Sequence, residues 1–441
     1  MWYNTFRMEK FQIRNPKRRT MMDIKRTEIG KGIHFCTIRD ERYKNNRITV
    51  NFMTPLNEEN VSANAVIPNL IDKNNSVYPD KTDFARKLNS LYGARFFSFV
   101  SVVGNSQIIT AGADFIDSRY AFDKENMSVE LASIICDCIL APVMINGKFE
   151  EETFENEKKN LLDDIQADIN DKKTYARNRA NEAMFKGQPC GIHKLGTKTT
   201  AEQVSNEKAV NAYNALLKTA RIEIIFTGSG SSQEAKEIFT ERFSQLERQE
   251  IAALSNVDSK IKENTEKITE TMDVEQSVIV LGFKTDDNDS FSSALMNSIY
   301  GGTPTAKLFS NVREKMSLCY FCSSAVNRFT NSMTVICGVQ KQNIDKATEA
   351  IIAQFEDMKN GKITEDEIKE AKLHLNNAYQ SVCDSTAALE NWFMYQIYEG
   401  ENMLPQEKAE KVNAVTRERI VESANSMKLD TVYVLTSGEE Q

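Results

Sequence analysis

Ile224-Ile225-Phe226-Thr227-Gly228-Ser229-Gly230 decides the fold, because the chain repeats it in kind as Val432-Tyr433-Val434-Leu435-Thr436-Ser437-Gly438. Each copy is a β-branched and aromatic run closed by small turn residues, the pattern of a strand. Two further pairs keep the same order. Arg47-Ile48-Thr49-Val50-Asn51-Phe52 answers to Ser277-Val278-Ile279-Val280-Leu281-Gly282-Phe283, and Gly147-Lys148-Phe149-Glu150-Glu151 answers to Gly361-Lys362-Ile363-Thr364-Glu365. The offset is about 210–230 residues, far too long for a solenoid unit, so the chain reads as a duplicated domain.

Working outward from these anchors, the first half reads as strands at 31–39 and 46–54, an apolar segment at 58–72 turning helical, and a helix at 83–91 stopped by Gly93. Strands follow at 95–103 and 107–114. Helices follow at 126–140, 149–171 and after Gly196-Thr197, and the strand at 221–227 closes the half. The second half repeats the order: strand 277–284, helices 289–300 and 305–316, strands 318–326 and 331–340, helices 343–359 and 364–383, strand 431–436. This is an α+β chain of two duplicated domains, each a mainly antiparallel sheet covered on one face by helices. Residues 1–25 are an unassigned extension, 26–246 the first domain, 247–270 a polar linker and 271–441 the second domain.

Composition narrows the function classes. With 27% charged residues of both signs interspersed and a net charge of −8, the chain is not built for nucleic acid, and Lys17-Arg18-Arg19 reads as a solvated arm. No run approaches 18 apolar residues, which gives no membrane span. No secretory leader is legible at Met1. Eight cysteines spread over 441 residues read as reduced thiols of a cytoplasmic protein rather than a disulfide scaffold.

Three stretches carry a family resemblance. They are Val77-Tyr78-Pro79 with Leu91-Tyr92-Gly93-Ala94, then Gly301-Gly302-Thr303-Pro304-Thr305-Ala306-Lys307-Leu308-Phe309, then Arg313-Glu314-Lys315 with Leu318-Cys319-Tyr320. With these, the chain resembles the pitrilysin/insulinase-like zinc peptidases, the inverzincins, over most of its length. The resemblance implies an H-x-x-E-H box on a helix ahead of Tyr78-Pro79 and a later glutamate ligand. Here the box falls on Ala65-Val66-Ile67-Pro68-Asn69, so both histidine positions and the catalytic glutamate position are lost. Zinc needs imidazole, thiolate or carboxylate donors, and activating water needs a base. Ala65 and Pro68 offer neither and Asn69 only a weak amide oxygen. A proline is tolerated in a first helical turn, which suggests a helix start near Asn64. Glu157 and Asp164 keep the seven-residue spacing of the family's later helix, but one surviving carboxylate does not make a catalytic metal site.

By spacing alone, Arg313 is an exposed helix arginine and Tyr320 a half-buried strand tyrosine. The resemblance implies more: these two residues, with the Gly301-Gly302 turn, hold substrate and stabilise the oxyanion at a zinc site. A chain that keeps this pair and lacks the metal box looks like the non-catalytic subunit of a heterodimeric zinc peptidase. Zn²⁺ is then expected in an H-x-x-E-H-bearing partner of the same family, with an unfolded peptide or protein as substrate. The degenerate box looks most like a bacterial subgroup associated with 5-aminopentanol modification of elongation factor P. The alternative is a scaffold with the peptidase fold and no part in catalysis. No other metal set is expected. His34, His193 and His374 lie far apart in the chain, and Cys319 and Cys322, three apart on a strand, should face opposite ways.

Overall fold

A computed structural model describes residues 11–12, 22–255, 257 and 260–438, so Lys17-Arg18-Arg19 lies outside the described residues. The chain divides into two compact units. Unit 1 combines the chain up to Ile165 with Lys194–Ser255 and Cys383–Asn402, and unit 2 combines Gln166–His193, Asn256–Val382 and the chain from Met403 onward. The units are thus discontinuous, in contrast to the contiguous stretches 26–246 and 271–441.

Unit 1 contains β1 (Phe11–Gln12), β2 (Asp23–Gly30), β3 (Ile33–Arg39), β4 (Asn45–Pro55), β5 (Arg95–Val103) and β6 (Ser106–Ile116), a short hairpin of β7 (Met144–Ile145) and β8 (Lys148–Phe149), and β9 (Arg221–Gly228). Unit 2 contains β10 (Glu266–Thr271), β11 (Ser277–Lys284), β12 (Cys319–Asn327), β13 (Ser332–Val339) and β14 (Lys428–Thr436). The first sheet runs β1-β2-β3-β9-β4-β6-β5 and the second β10-β14-β11-β13-β12. Each contains one parallel pair, β3 with β9 and β10 with β14, among antiparallel neighbours. The strands that run into the twin sequences, β9 and β14, hold the same place in both sheets. By that correspondence β10 is the second copy of β3, and it occupies 266–270 of the stretch read as a linker.

Alternation along the second sheet separates its faces. Ile279, Leu281, Phe283, Val335 and Cys337 point into the main core, beneath helices that include Ile344–Lys359 and Glu365–Ser381. Val278, Val280, Ile336, Tyr433 and Leu435 point the other way and pack on Ala176 and Ala180. Those alanines belong to the helix Lys172–Met184, which comes from the first repeat in sequence. Unit 1 shows the converse: the helix Thr386–Glu399 of the second repeat packs against β4 and β9. Each unit therefore takes one helix from the other repeat on the second face of its sheet.

Buried charge anchors the exchanged helix in unit 1. Glu390 is 4% exposed and accepts from Arg47 Nε at 2.6 Å and Thr49 Oγ1 at 2.7 Å, while Arg47 Nη1 also binds Asp114 at 2.7 Å. The Arg47 guanidinium lies 4.1 Å from the centre of the Phe97 ring, which places the cation over an aromatic face. In the centre of the same sheet, Glu223 on β9 is fully buried. It accepts from Arg26 at 2.6 and 3.0 Å and from Arg221 at 2.7 Å. Burial opposes its ionisation, but Arg221 and Arg26 outweigh that and hold the carboxyl below its ordinary range.

Candidate functional site

The degenerate box lies on the helix Val61–Ile71, of which only Asn69 escapes full burial. The helix begins at Val61 behind Asn60, not near Asn64, so Pro68 falls inside it. An interior proline removes one backbone donor and costs about 3 kcal/mol. The near-complete burial of this helix offsets that cost, and a polar network fastens its first turns. Gln107 Nε2 donates to the carbonyls of Val61 (3.0 Å) and Lys194 (2.9 Å), Gln107 Oε1 accepts from Asn64 (2.9 Å), and Ser62 donates to the Leu195 carbonyl (2.9 Å). Apolar packing and amide chemistry fill the place where the resemblance to zinc peptidases would call for imidazole.

The carboxylates of the later helix complete the picture. Glu157 is 3% exposed, with one oxygen paired to the Lys73 ammonium and the other accepting from Asn160 at 2.8 Å. A protein cation thus already neutralises it. Asp164 lies exposed on the same helix. The residues present do not fit a zinc ion: Ala65 and Pro68 have no donor, and Glu157 is already paired. Lys73 was not legible as part of this site, since only the folded contact joins it to Glu157.

Asp72 closes the box helix. Its Oδ2 accepts from Ser98 at 2.9 Å, and its buried Oδ1 has no hydrogen-bond partner among the described residues. Burial pushes its carboxyl up to about 6, against the Ser98 bond and the Lys73 charge, and the nearby Glu157 adds to the rise. The folded value lies above the ordinary 3.8, so ionisation is penalised only in the folded state. That penalty is absent below pH ~4 and complete above pH ~6, so stability falls across this window as pH rises. Asp72→Asn is expected to stabilise the chain by about 2 kcal/mol at pH 8 and by little at pH 4, read from denaturant midpoints.

The arginine–tyrosine segment lies in unit 2 and is irregular along its length. The helix expected at 289–300 is α-helical over Ser290–Asn297 and widens into a π-type turn at Ser298–Gly302, and the one expected at 305–316 is π-type over Leu308–Lys315. Ser317 takes a left-handed φ of 51°, and the β12–β13 register shifts between Cys319 and Phe321, which makes Tyr320 a bulge residue. Left-handed non-glycine residues, π-turns and bulges cost energy and concentrate at functional sites. Gly301 is buried, and a Cβ there would sit 2.9 Å from the Ser324 backbone nitrogen and 2.6 Å from Leu308 Cδ1. Close packing against β12 therefore requires this glycine. At the exposed Gly302 a Cβ would meet the Asn297 carbonyl at 3.0 Å.

The bulge sets where side chains point. Tyr320 is 58% exposed, and Gln340 Nε2 donates to its hydroxyl oxygen at 3.2 Å, which leaves the phenolic proton for another acceptor. The Arg313 side chain is 40% exposed, with its guanidinium 4.6 Å from the Phe309 ring centre and 3.7 Å from Glu314. Cys319 and Cys322 share a face, contrary to strict alternation, because the extra residue returns Cys319 to the side of Cys322 while Phe321 points to the opposite core. The thiols of Cys319, Cys322 and Cys337 all lie within 4.8 Å of one another, and among the described residues this is the one group of three His, Cys, Asp or Glu ligand atoms close enough to hold a metal. Hydrogen bonds from Cys322 and Cys337, with the Arg313 charge, hold the Cys319 thiol below its ordinary range against its burial.

The histidines are separate. His34 on β3 faces Glu223 at 3.5 Å and is lowered by burial. His193 lies 3.3 Å from Asp168. His374 is exposed on the helix Glu365–Ser381. Among the described residues, no helix is long and apolar enough to cross a membrane.

Comparison with known proteins agrees with this geometry. Residues 203–375 match the family described as Peptidase M16 inactive domain. The chain is 24% identical over 413 residues to the "Probable inactive metalloprotease YmfF" of Bacillus subtilis (strain 168), covering 92% of this chain and 96% of that protein. A conserved protein from Enterococcus faecalis V583 superposes with a TM-score of 0.88 at 29% identity, over 95% of this chain and 99% of that one. The peptidase M16 inactive domain from Pseudomonas fluorescens superposes with a TM-score of 0.76 at 15% identity, over 95% and 99% of the two chains, and so shares the fold.

Proposed function

Because this chain is an M16-like peptidase homologue of the inactive kind, we propose that it serves as the non-catalytic, substrate-binding subunit of a two-chain zinc peptidase. One observation carries the reading. The chain keeps Arg313 and Tyr320 exposed on a costly, irregular segment, while its own box is filled by Ala65, Pro68 and a lysine-paired Glu157. A surface that served only packing would have no reason to hold a tyrosine out on a bulge.

In this reading an H-x-x-E-H-bearing partner holds Zn²⁺ and the base that activates water. Tyr320 donates its phenolic proton toward the developing oxyanion, and Arg313 anchors a substrate carbonyl or carboxylate. β12 is an edge strand of its sheet, so an extended peptide segment can add to it through backbone hydrogen bonds. The substrate is then an unfolded peptide or protein segment, handled in the cytoplasm. Modification of elongation factor P is the process to examine first.

The experiment is a double substitution, Arg313→Ala with Tyr320→Phe, in a complex reconstituted with the partner. Loss of peptide turnover with assembly intact supports the reading. Unchanged turnover would instead assign the chain to a pure scaffold.

A further inference from the structure

The three-cysteine cluster has no role in that proposal. Cys319 begins β12, Cys322 follows after the bulge, and Cys337 lies directly across from Cys322 on β13. Cys322 and Cys337 are 5% and 0% exposed, while Cys319 is only half-buried, so the cluster is walled on its inner side and reachable at Cys319. None of the three is in a disulfide. In a regular strand with Tyr320 paired in the ladder, strict alternation would put Cys319 on the face of Phe321, on the far side of the sheet from Cys337. The bulge therefore assembles the cluster.

We propose that Cys319, Cys322 and Cys337 form a three-thiolate site for a thiophilic cation of the Zn²⁺ class. A zinc–sulfur bond of about 2.3 Å sets tetrahedral sulfurs about 3.8 Å apart. Sulfurs already within 4.8 Å of one another reach that arrangement by side-chain adjustments of about 1 Å or less. Thiolates select soft cations over Mg²⁺ or Ca²⁺, which prefer oxygen. Three thiolates and a divalent ion leave one negative charge, and Arg313 is close enough to act electrostatically on Cys319. The fourth position opens where Cys319 reaches the surface and takes water or an external ligand. The bound ion would also fasten the bulge, one residue from Tyr320. The site needs neither the partner subunit nor peptidase activity.

The test uses the full chain, reduced and stripped with a chelator, with its eight thiols confirmed by titration. Cd²⁺ is added while thiolate-to-cadmium charge-transfer absorption is followed, and Zn²⁺ is measured by competition. The expected result is one equivalent bound, with the absorption of three sulfur ligands. Cys319→Ser, at a half-exposed position, should weaken binding by more than about 100-fold, beyond the usual effect of losing an outer-shell partner. Cys337→Ala should do the same, with circular dichroism verifying that it folds. Absence of the band from the reduced chain at stoichiometric Cd²⁺ overturns the proposal. So does binding that survives both substitutions.

Discussion

Phenylalanine at position 320 is expected to leave the chain folded, still able to assemble, and about 10²-fold slower in peptide turnover with its partner, the usual effect of removing one oxyanion donor. The exposure of Tyr320 makes this a clean experiment. The hydroxyl lies outside the core, and among the described residues its hydrogen bond is the one it accepts from Gln340. The loss should fall on kcat rather than KM, because a donor aimed at charge that develops during reaction contributes little to the bound ground state. A rise in KM at constant kcat would make Tyr320 a binding residue and remove its assigned role.

The largest effect on stability is expected at Glu223. Truncation to Ala leaves the Arg26 and Arg221 guanidiniums in the centre of the first sheet without their shared carboxylate. Breaking a buried ion pair on one side costs about 3–5 kcal/mol. Glu223 titrates below its ordinary 4.5 when folded, so its contribution is present above that pH and is lost as pH falls through the folded value. Wild type and Glu223→Ala should therefore differ most near neutrality and converge in acid. A neutral-pH difference below about 1 kcal/mol, measured by denaturant unfolding, would show that the cluster stabilises far less than its geometry implies.

Much of the fold was legible because its strands are long, apolar and duplicated. β11 occupies residues 277–284 and β5 residues 95–103, as the sequence pattern predicts. The segments that escaped have physical reasons. β10 alternates polar and half-buried residues at a sheet edge and resembles a linker, although the duplication called for a second copy of β3. The exchanged helix Lys172–Met184 packs through Ala176, Ala180 and Met184, small or flexible contacts that leave no apolar stripe in a charged stretch. Its counterpart Thr386–Glu399 buries Glu390 and Gln396 beside apolar residues, so its periodicity is blurred.

The candidate site divides in the same way. The loss of the metal box was visible from residue types alone, since no conformation gives Ala65 or Pro68 a ligand atom. The placement of Pro68 was not, because tertiary burial overrode the local preference for a first-turn proline. Nor was the pairing of Glu157 with Lys73, or the meeting of three thiols. Both depend on contacts that spacing does not encode, and the second depends on one inserted residue reversing the alternation of a strand.

The most direct test of the central claim is peptide hydrolysis by this chain, by a co-purifying H-x-x-E-H protein and by the two together, each at matched concentration with Zn²⁺ supplied. The account predicts that turnover appears only in the mixture and falls when the mixture contains Tyr320→Phe. Hydrolysis by this chain alone at the rate of the mixture, or by the other protein alone at that rate, would contradict it.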